Sequence, residues 1–191
     1  MRLRYEAWRH LHNVFAFLLL GLAFLHSLAL GNDFESRATQ IVWGAQLLMA
    51  WSVWFYGRLA RPWFLARRCS YRVVSVAPET PQVWTLTLEP RANRPLHYAP
   101  GQFQFLRLHG SSVLAEEHPF SIASSPSPDG VIRVTIKEIG DFTSTVGRIK
   151  PGDLAVVHGP FGRFSHVFHS IEDDLVFVAA GIGITPLMSM L

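Results

Sequence analysis

The chain is poor in cysteine and in charge. It has 191 residues but one cysteine, Cys69, which excludes an intrachain disulfide framework and any metal site built from several cysteines. Charged residues make up 16% of the sequence and hydrophobic residues 49%, which is apolar for a soluble protein of this length. Internal repeats and low-complexity segments are also lacking, so the length predicts one or two ordinary domains, each with a hydrophobic core.

A long stretch without any charged residue covers residues 11–31. About 20 apolar residues are enough for a helix to cross the hydrocarbon core of a membrane. The stretch is too long, and too poorly followed by a cleavage site, for a signal peptide. A polar turn at residues 32–37 precedes a second apolar run at residues 38–56. We therefore expect a two-span transmembrane region over residues 1–57; the alternative is a buried helical hairpin of a soluble protein.

The net charge is +3, and seven arginines flank the outer ends of the apolar runs. They are Arg2, Arg4, Arg9, Arg58, Arg61, Arg67 and Arg68. This distribution is typical of charge on the cytoplasmic side of a membrane rather than of a nucleic-acid-binding surface. We expect an integral protein of the plasma (inner) membrane, with both termini cytoplasmic and the turn outside. Its partner is then membrane lipid, with no nucleic acid.

Two histidines, His12 and His26, stand fourteen positions apart in the first apolar run. On a helix they differ by about 40° around the axis and lie about 21 Å apart along it, so they share one face. Imidazole is a good axial ligand for haem iron, and ionisable residues inside a span indicate function. The alternative without haem is that His12 lies at the membrane interface and His26 caps the outer end of the helix. The second run contains no histidine, so opposite haem ligands must come from missing sequence or another subunit.

After the basic linker at residues 58–68, the pattern changes to short runs rich in β-branched and aromatic residues. Turn signals such as Ala99-Pro-Gly101 and Lys150-Pro-Gly-Asp153 separate these runs. Six short antiparallel strands at this spacing predict a small barrel. The predicted strands are Tyr71–Ala77, Val83–Glu89, Phe103–His109, Phe120–Ala123, Val131–Lys137 and Leu154–His158.

The tetrapeptide 118–121 leads into the predicted fourth strand, which a Ser-Ser-Pro-Ser-Pro turn cluster closes. A flavin needs an apolar face under its ring, a hydrogen-bonding group near its reactive nitrogen and a donor near its pyrophosphate. Phe120, Ser121 and His118 can supply these in that order, because alternate residues of a strand share a face. An aromatic residue in a strand is also the ordinary signature of core packing, so the tetrapeptide depends on its context.

Residues 137–145 form a turn that enters a short helix. Gly140 allows a close approach to a ligand, and Thr143 and Ser144 can cap the helix and present hydroxyls and amides to a phosphate. A plain N-cap without a ligand is the alternative.

The last part of the chain is a continuous apolar run, residues 174–180, followed by a glycine-containing loop. Such a run is typical of a parallel strand that is buried on both faces. Gly181 and Gly183 let a pyrophosphate approach a helix N-terminus, where Thr185 is a good N-cap and Pro186 suits the first turn. A structural turn is the alternative to a nucleotide-binding loop.

In this order the motifs resemble the ferredoxin–NADP reductase superfamily, and the attached spans resemble its membrane branch, the ferric reductases and NADPH oxidases. Residues 118–121 look like the flavin motif of that branch. Residues 140–143 look like its flavin-phosphate motif, and residues 180–187 are similar to its nicotinamide-nucleotide loop. The opening at residues 5–12, with His26 beyond it, resembles a haem-bearing span.

The resemblance implies a membrane oxidoreductase with FAD, NAD(P)H and haem b as cofactors and oxygen or ferric iron as a small electron acceptor. Ser121 is the implied catalytic residue, and His12 and His26 are the implied haem ligands. The implied cofactor-binding residues are His118, Pro119, Phe120, Ser121, Lys137, Gly140, Thr143, Ser144, Gly181, Gly183, Thr185 and Pro186.

The expected organisation is multidomain. A two-span region (1–57) and a basic linker (58–68) precede an antiparallel β-barrel that binds FAD (69–169) and the first β-α unit of a doubly wound α/β domain that binds NAD(P) (170–191). The resemblance also implies that these residues are part of a longer protein. Two other functions stay open: a membrane-anchored flavin reductase without haem, and a non-catalytic subunit that binds a partner through its helices.

Overall fold

A computed structural model describes residues 5–30, 36–91, 94–110, 117–169 and 174–191. The chain divides into two compact units, Met1–Pro62 and Trp63–Leu191. The helices are α1 (Tyr5–Leu30), α2 (Arg37–Phe55), α3 (Arg61–Arg68) and α4 (Thr185–Met188), and the strands are β1 (Ser70–Thr80), β2 (Val83–Pro90), β3 (Phe103–His109), β4 (Glu117–Ser121), β5 (Ile132–Lys137) and β6 (Leu154–Phe161).

The first unit is built on a pair of helices, α1 and α2. The ring of Phe17 stacks on Trp51 with their centroids 5.0 Å apart. One turn further along α1, Gly21 leaves room for the same indole, and Phe24 lies beside Gly44. Because higher numbers on α1 meet lower numbers on α2, the two helices are antiparallel, as the predicted hairpin requires.

The expectation of two membrane spans is met only in part. Within the described residues one helix is long and apolar enough to cross a membrane, over Leu11–Ala29. The second run is helical as predicted, but α2 does not reach the same hydropathy, because Gln40 and Gln46 interrupt it. Of the predicted external turn, residues 32–37, residues 32–35 lie outside the described residues and Arg37 begins α2.

The second unit is an antiparallel barrel. Its six strands form one sheet in the order β4-β3-β6-β1-β2-β5. The sheet curls so that its two edge strands approach each other, and just after β4 the N–H of Ala123 donates to the carbonyl of Arg133 in β5 at 2.8 Å. This bond joins the two ends of the sheet beyond β4, while β4 itself stays an edge strand.

Buried and outward-facing side chains alternate along the strands, and the buried ones fill the barrel. In β5 the first, third and fifth residues are buried and the others face outwards, as a period of two requires. The core consists of aliphatic and aromatic side chains from all six strands and from the loops that cover the ends of the barrel. Its fully buried members include Tyr71, Val73, Leu86, Leu88, Leu106, Leu108, Ile122, Ile132, Val134, Ile136 and Val146.

All six predicted strands occur, with ends within three residues of the predicted ones. β4 begins at Glu117 rather than at Phe120. Glu117 pairs with Arg107 of β3, and Pro119 pairs with Phe105. Proline is tolerated here because β4 lies at an edge of the sheet, where its missing N–H breaks no ladder.

The prediction of a parallel strand at residues 174–180 is wrong for this structure. The segment has no assigned strand, and Val176 and Val178 are 85% and 88% exposed. A parallel strand needs hydrogen bonds from neighbouring strands, and nothing in the described part of the chain pairs with this segment. The doubly wound β-α unit is therefore represented only by the loop and the short helix α4.

A buried phenol ties the segment before β3 to the barrel. The side chain of Tyr71 is 1% exposed, and its hydroxyl accepts a hydrogen bond from the N–H of Leu96 at 2.7 Å. Burial raises the pKa of Tyr71, so the hydroxyl stays neutral. Replacing Tyr71 by phenylalanine leaves the Leu96 amide without its acceptor, and we expect the free energy of unfolding to fall by about 1–2 kcal/mol.

Guanidinium denaturation of the full chain measures this change. Tyr56→Phe is the control, because the Tyr56 side chain is 60% exposed on a helix and should be replaceable without loss. Equal unfolding free energies for the two variants would show that water replaces the Tyr71 hydroxyl.

Candidate flavin site

Strand β4 sets the orientation of the tetrapeptide 118–121. His118 lies opposite Leu106 of β3, and Phe120 lies opposite Gln104. Both β3 residues are fully buried, so His118 and Phe120 belong to the face that is turned towards the barrel interior. This confirms that they share one face.

Ser121 and Pro119 belong to the other face of β4. Ser121 is the last residue of the strand and lies opposite Phe103, whose side chain is half-buried on the outer surface. Pro119 is exposed. Alternation therefore separates Ser121 from Phe120, and its catalytic role stays a prediction.

His118 and Phe120 both contact Phe142 from the loop at residues 137–145. The rings of His118 and Phe142 are stacked with centroids 4.2 Å apart, and those of Phe120 and Phe142 lie 6.1 Å apart at a small angle. Phe142 is 4% exposed. The structure thus brings the first two motifs together through an aromatic residue that sequence reasoning did not select, although it stands between Gly140 and Thr143.

Hydroxyl groups shape this loop from within. Thr143 Oγ1 accepts hydrogen bonds from the N–H groups of Ile139 at 2.8 Å and Gly140 at 2.9 Å. Ser144 Oγ donates to the carbonyl of Asp141 at 3.0 Å. Thr143 is the first residue of a short 3₁₀ helix whose N-cap is Phe142. The expected capping by Thr143 and Ser144 is thus corrected: their hydroxyls order the loop before the helix.

A cavity of about 660 Å³ lies against the outer face of β2 and β5, in the size range of small-molecule and cofactor sites. Lys137, Gly181 and Thr185, all predicted to bind cofactors, line it together. The wall also carries Arg133 and one acidic residue, Glu79, so the cavity has an excess of positive charge that suits phosphate groups. Other predicted residues do not line it: His118, Pro119, Phe120, Ser121, Gly140, Thr143, Ser144, Gly183 and Pro186.

The loop after residue 180 has its glycine and proline where they were expected, but the N-cap of α4 is not the predicted residue. Gly181 has φ +55°, which suits glycine, and Pro186 lies in the first turn of α4 as expected. Thr185 is not the N-cap: it is the first helical residue, is 7% exposed, and donates through Oγ1 to the carbonyl of Ile182 at 3.0 Å.

A hydrogen bond that sequence reasoning missed joins this loop to the barrel. The N–H of Gly101 donates to Ser189 Oγ at 2.6 Å, and Ser189 is 1% exposed. Gly101 has φ +86°. An added Cβ there would overlap the carbonyl oxygen of Phe164 and the methyl group of Met190. A proline–glycine turn before a strand was visible in the sequence, but nothing local indicated this partner.

The predicted haem ligands lie on α1 outside the contact with α2. His12 and His26 are both exposed, and the ring of Trp8 stacks on His12 with centroids 5.2 Å apart. Among the described residues no group of three or more His, Cys, Asp or Glu can hold a metal ion. A histidine can supply one axial ligand to a haem iron, and haem ligation by His12 and His26 stays a prediction.

Comparison with known proteins assigns the barrel. The family model described as an FAD-binding domain matches residues 69–150. Residues 69–150 are therefore assigned as an FAD-binding domain. A flavin nucleotide needs an apolar support and positive charge. The structure offers an aromatic cluster around Phe142 and, lined by other residues, a cavity with an excess of positive charge.

The curated relatives include a sulfhydrogenase subunit and an NADPH oxidoreductase. Sulfhydrogenase 1 subunit gamma of Pyrococcus furiosus is 36% identical over 113 residues, which are 59% of this chain and 33% of that protein. NADPH oxidoreductase of Mycobacterium tuberculosis is 34% identical over 147 residues, covering 71% of this chain and 37% of that protein. The chain thus spans about a third of the length of these two relatives.

Solved structures share the fold. The flavohem-like FAD/NAD binding domain of nitric oxide dioxygenase from Vibrio cholerae superposes with a TM-score of 0.53 at 24% identity, over 63% of this chain and 54% of that one. Flavohemoglobin from Malassezia yamatoensis gives a TM-score of 0.55 at 20% identity, over 83% of this chain and 43% of that one. At such identities the likeness supports the fold of the FAD-binding domain alone.

Proposed function

We propose that this protein is a membrane oxidoreductase that passes electrons from NAD(P)H through FAD and haem b to an acceptor such as oxygen or ferric iron. The observation that carries the proposal is the presence, on one chain, of an FAD-binding domain and an apolar helix with two histidines, His12 and His26. A flavin exchanges electron pairs with nicotinamide and single electrons with metal centres, so it can join the two ends of such a chain.

Exposure of the helices supports the membrane location. No residue of α2 is buried, and the apolar window of α1 is 0% buried. Side chains such as Leu22 at 60% and Ile41 at 70% exposed form a broad apolar surface. Surfaces of this kind bind lipid or other helices, which argues against the buried hairpin of a soluble protein. The flanking arginines favour cytoplasmic ends for both helices.

Each part of the flavin site has a proposed task. Phe120 supports the flavin ring, and Ser121 lies near its reactive nitrogen. His118 and the loop that contains Gly140 and Thr143 hold the phosphates.

Lys137 and the loop from Gly181 to Pro186 form the nucleotide end of the site, whereas Ser144 and Pro119 belong to its flavin end. Lys137 adds positive charge to the cavity, and the loop from Gly181 to Pro186 positions the nicotinamide nucleotide. Ser144 orders the flavin-phosphate loop, and Pro119 keeps β4 at the edge of the sheet.

The proposed haem sites need partner helices. His12 and His26 each offer one imidazole on the exposed surface of α1, about 21 Å apart along the axis. Haem iron held by two histidines needs a second imidazole from a facing helix. Helices from missing sequence or from another subunit are therefore proposed partners, along with membrane lipid.

A second candidate is a flavin reductase without haem that hands electrons to a partner protein. The names of two relatives favour it: one is a probable electron transfer subunit of dihydroorotate dehydrogenase B from Methanocaldococcus jannaschii, and another is the reductase component of propane 2-monooxygenase from Mycolicibacterium goodii. The apolar helices would then serve as an anchor.

A dithionite-reduced minus oxidised spectrum of the protein purified in detergent separates the two candidates. Released flavin is quantified from the same sample. Sharp haem bands beside stoichiometric flavin support the electron conduit. Flavin without haem supports the reductase without haem, provided that the result is the same when the chain is produced together with the proposed partner helices. Absence of both cofactors would contradict both candidates.

Thr143→Val tests the flavin-phosphate loop. Valine has nearly the shape of threonine but cannot accept the hydrogen bonds from Ile139 and Gly140. We expect the dissociation constant for FAD to rise about tenfold or more, since the loss of two hydrogen bonds of about 1 kcal/mol each loosens the loop. A titration followed by flavin fluorescence measures the change.

Thr143→Ser is the matched control, because it keeps the hydroxyl and should bind FAD nearly as the parent protein does. Unchanged FAD affinity in Thr143→Val would show that the loop keeps its shape without these bonds, or that the phosphate binds elsewhere.

A further inference from the structure

Trp84 of β2 contacts the flavin-phosphate loop at its beginning. Its indole Nε1 donates a hydrogen bond to Glu138 Oε1 at 2.6 Å. The acceptor is a carboxylate, and hydrogen bonds to ionised groups are shorter and stronger than neutral ones. Glu138 directly precedes Ile139 and Gly140, the two residues whose N–H groups Thr143 binds. The bond therefore fixes the point where the chain leaves β5 and enters the loop.

The same indole contacts the far end of the loop. A Cβ added at Gly147 would lie 2.7 Å from Cζ2 of Trp84 and 2.8 Å from Cε2. Only glycine allows so close an approach of the 3₁₀ helix, Thr143–Arg148, to the ring. One side chain thus contacts both ends of the segment that carries Gly140 and Thr143.

Strand β2 gives Trp84 a rigid base. Trp84 lies opposite Ile136 of β5, which is 1% exposed, and its ring packs against the barrel core. Next to it, the carbonyl of Gln82 accepts a hydrogen bond from the N–H of Glu138 at 2.8 Å. Gln82 lines the cavity of about 660 Å³ together with Lys137. The loop is therefore anchored to the same hairpin that borders the basic cavity.

We propose that Trp84 is a positioning residue for the flavin phosphates: through Glu138 and Gly147 it holds the loop at residues 138–148 in the shape that binds them. The inference rests on the proposed function, in which this loop receives the phosphates of FAD. Trp84 touches the loop and acts through it, so its effect depends on whether the ligand carries a phosphate.

Trp84→Phe tests the proposal with three ligands. Phenylalanine keeps a ring against Gly147 and the core but has no N–H for Glu138. FAD and FMN carry the phosphate, whereas riboflavin carries the same ring system without one. We expect the dissociation constants of FAD and FMN to rise about tenfold, as for the loss of one hydrogen bond to a charged group, and that of riboflavin to stay unchanged.

Two variants of Glu138, the hydrogen-bond acceptor, test the proposal even if Trp84→Phe does not fold. Glu138→Ala removes the same hydrogen bond without touching the core and should repeat the pattern. Glu138→Gln keeps an acceptor oxygen and should restore most of the FAD affinity. A merely structural role would weaken all three ligands in parallel.

The outcomes separate the inference from the proposed function. If the parent protein binds FAD but Trp84→Phe and Glu138→Ala bind it equally well, or lose riboflavin in parallel, Trp84 does not position the phosphates. If the parent protein binds none of the three flavins, the proposed function fails, and the inference fails with it.

Discussion

Replacing Gly101 by alanine should destabilise the barrel by about 3 kcal/mol. Gly101 has φ +86°, and a side chain in that conformation costs about 1–2 kcal/mol. The new Cβ would also overlap the carbonyl oxygen of Phe164 and the methyl group of Met190, and forcing an atom into a packed site costs about 1–3 kcal/mol more. The N–H of Gly101 is held by Ser189, so the turn cannot move away freely.

Gly152→Ala is the matched control. Gly152 has a similar φ of +98°, but nothing lies within 4 Å of an added Cβ. It should lose only the conformational part, about 1–2 kcal/mol. The free energy of unfolding of both full-chain variants is measured by guanidinium denaturation. A loss in Gly101→Ala no greater than in Gly152→Ala would mean that the backbone at Phe164 moves aside at little cost.

His26→Leu should abolish electron transfer to an external acceptor and leave the reduction of soluble dyes by NAD(P)H intact. Leucine is an apolar helix former, so α1 is preserved, but haem iron near the outer end of the helix loses its ligand. Removing groups that only support metal ligands already costs about 10–100-fold in activity or affinity, so the loss of the ligand itself should be at least that large. Dye reduction persists because it needs only the flavin domain and the nicotinamide-nucleotide site, and neither contains His26.

His169→Leu serves as the control for losing a histidine, since His169 is exposed and lies outside the helices. Both activities are compared in the same membranes, with the haem content taken from the reduced spectrum. External reduction that survives in His26→Leu would refute the electron conduit.

Local pattern was enough to predict the barrel strands and the two glycine-containing loops. Alternation of apolar residues over six to eight positions is a property of the strand itself. The pattern predicted that β4 begins at Phe120, just after Pro119. The observed strand includes Pro119, because an edge strand tolerates a proline. The same local reading failed for residues 174–180, because a parallel strand exists only beside its neighbours.

The contacts that join the motifs were not predictable from sequence, because they connect residues far apart in the chain. Trp84 and Glu138 are 54 positions apart, and Gly101 and Ser189 are 88 apart. Phe142 lies inside the motif at residues 140–143, but only the fold shows that His118 stacks on it. Thr143 has the residue type of an N-cap, and only the loop geometry shows that its hydroxyl binds the residues before it.

The hydroxyl of Ser189 limits how freely the parts of this protein can be exchanged. It accepts a hydrogen bond from Gly101 of the barrel and donates one to the carbonyl of Pro186 at 2.8 Å. One side chain therefore ends the short helix and joins it to the flavin domain. A chimera that grafts another nucleotide-binding segment onto this barrel has to transplant the serine together with its glycine partner, because cutting between the two domains separates a single hydrogen-bonded unit.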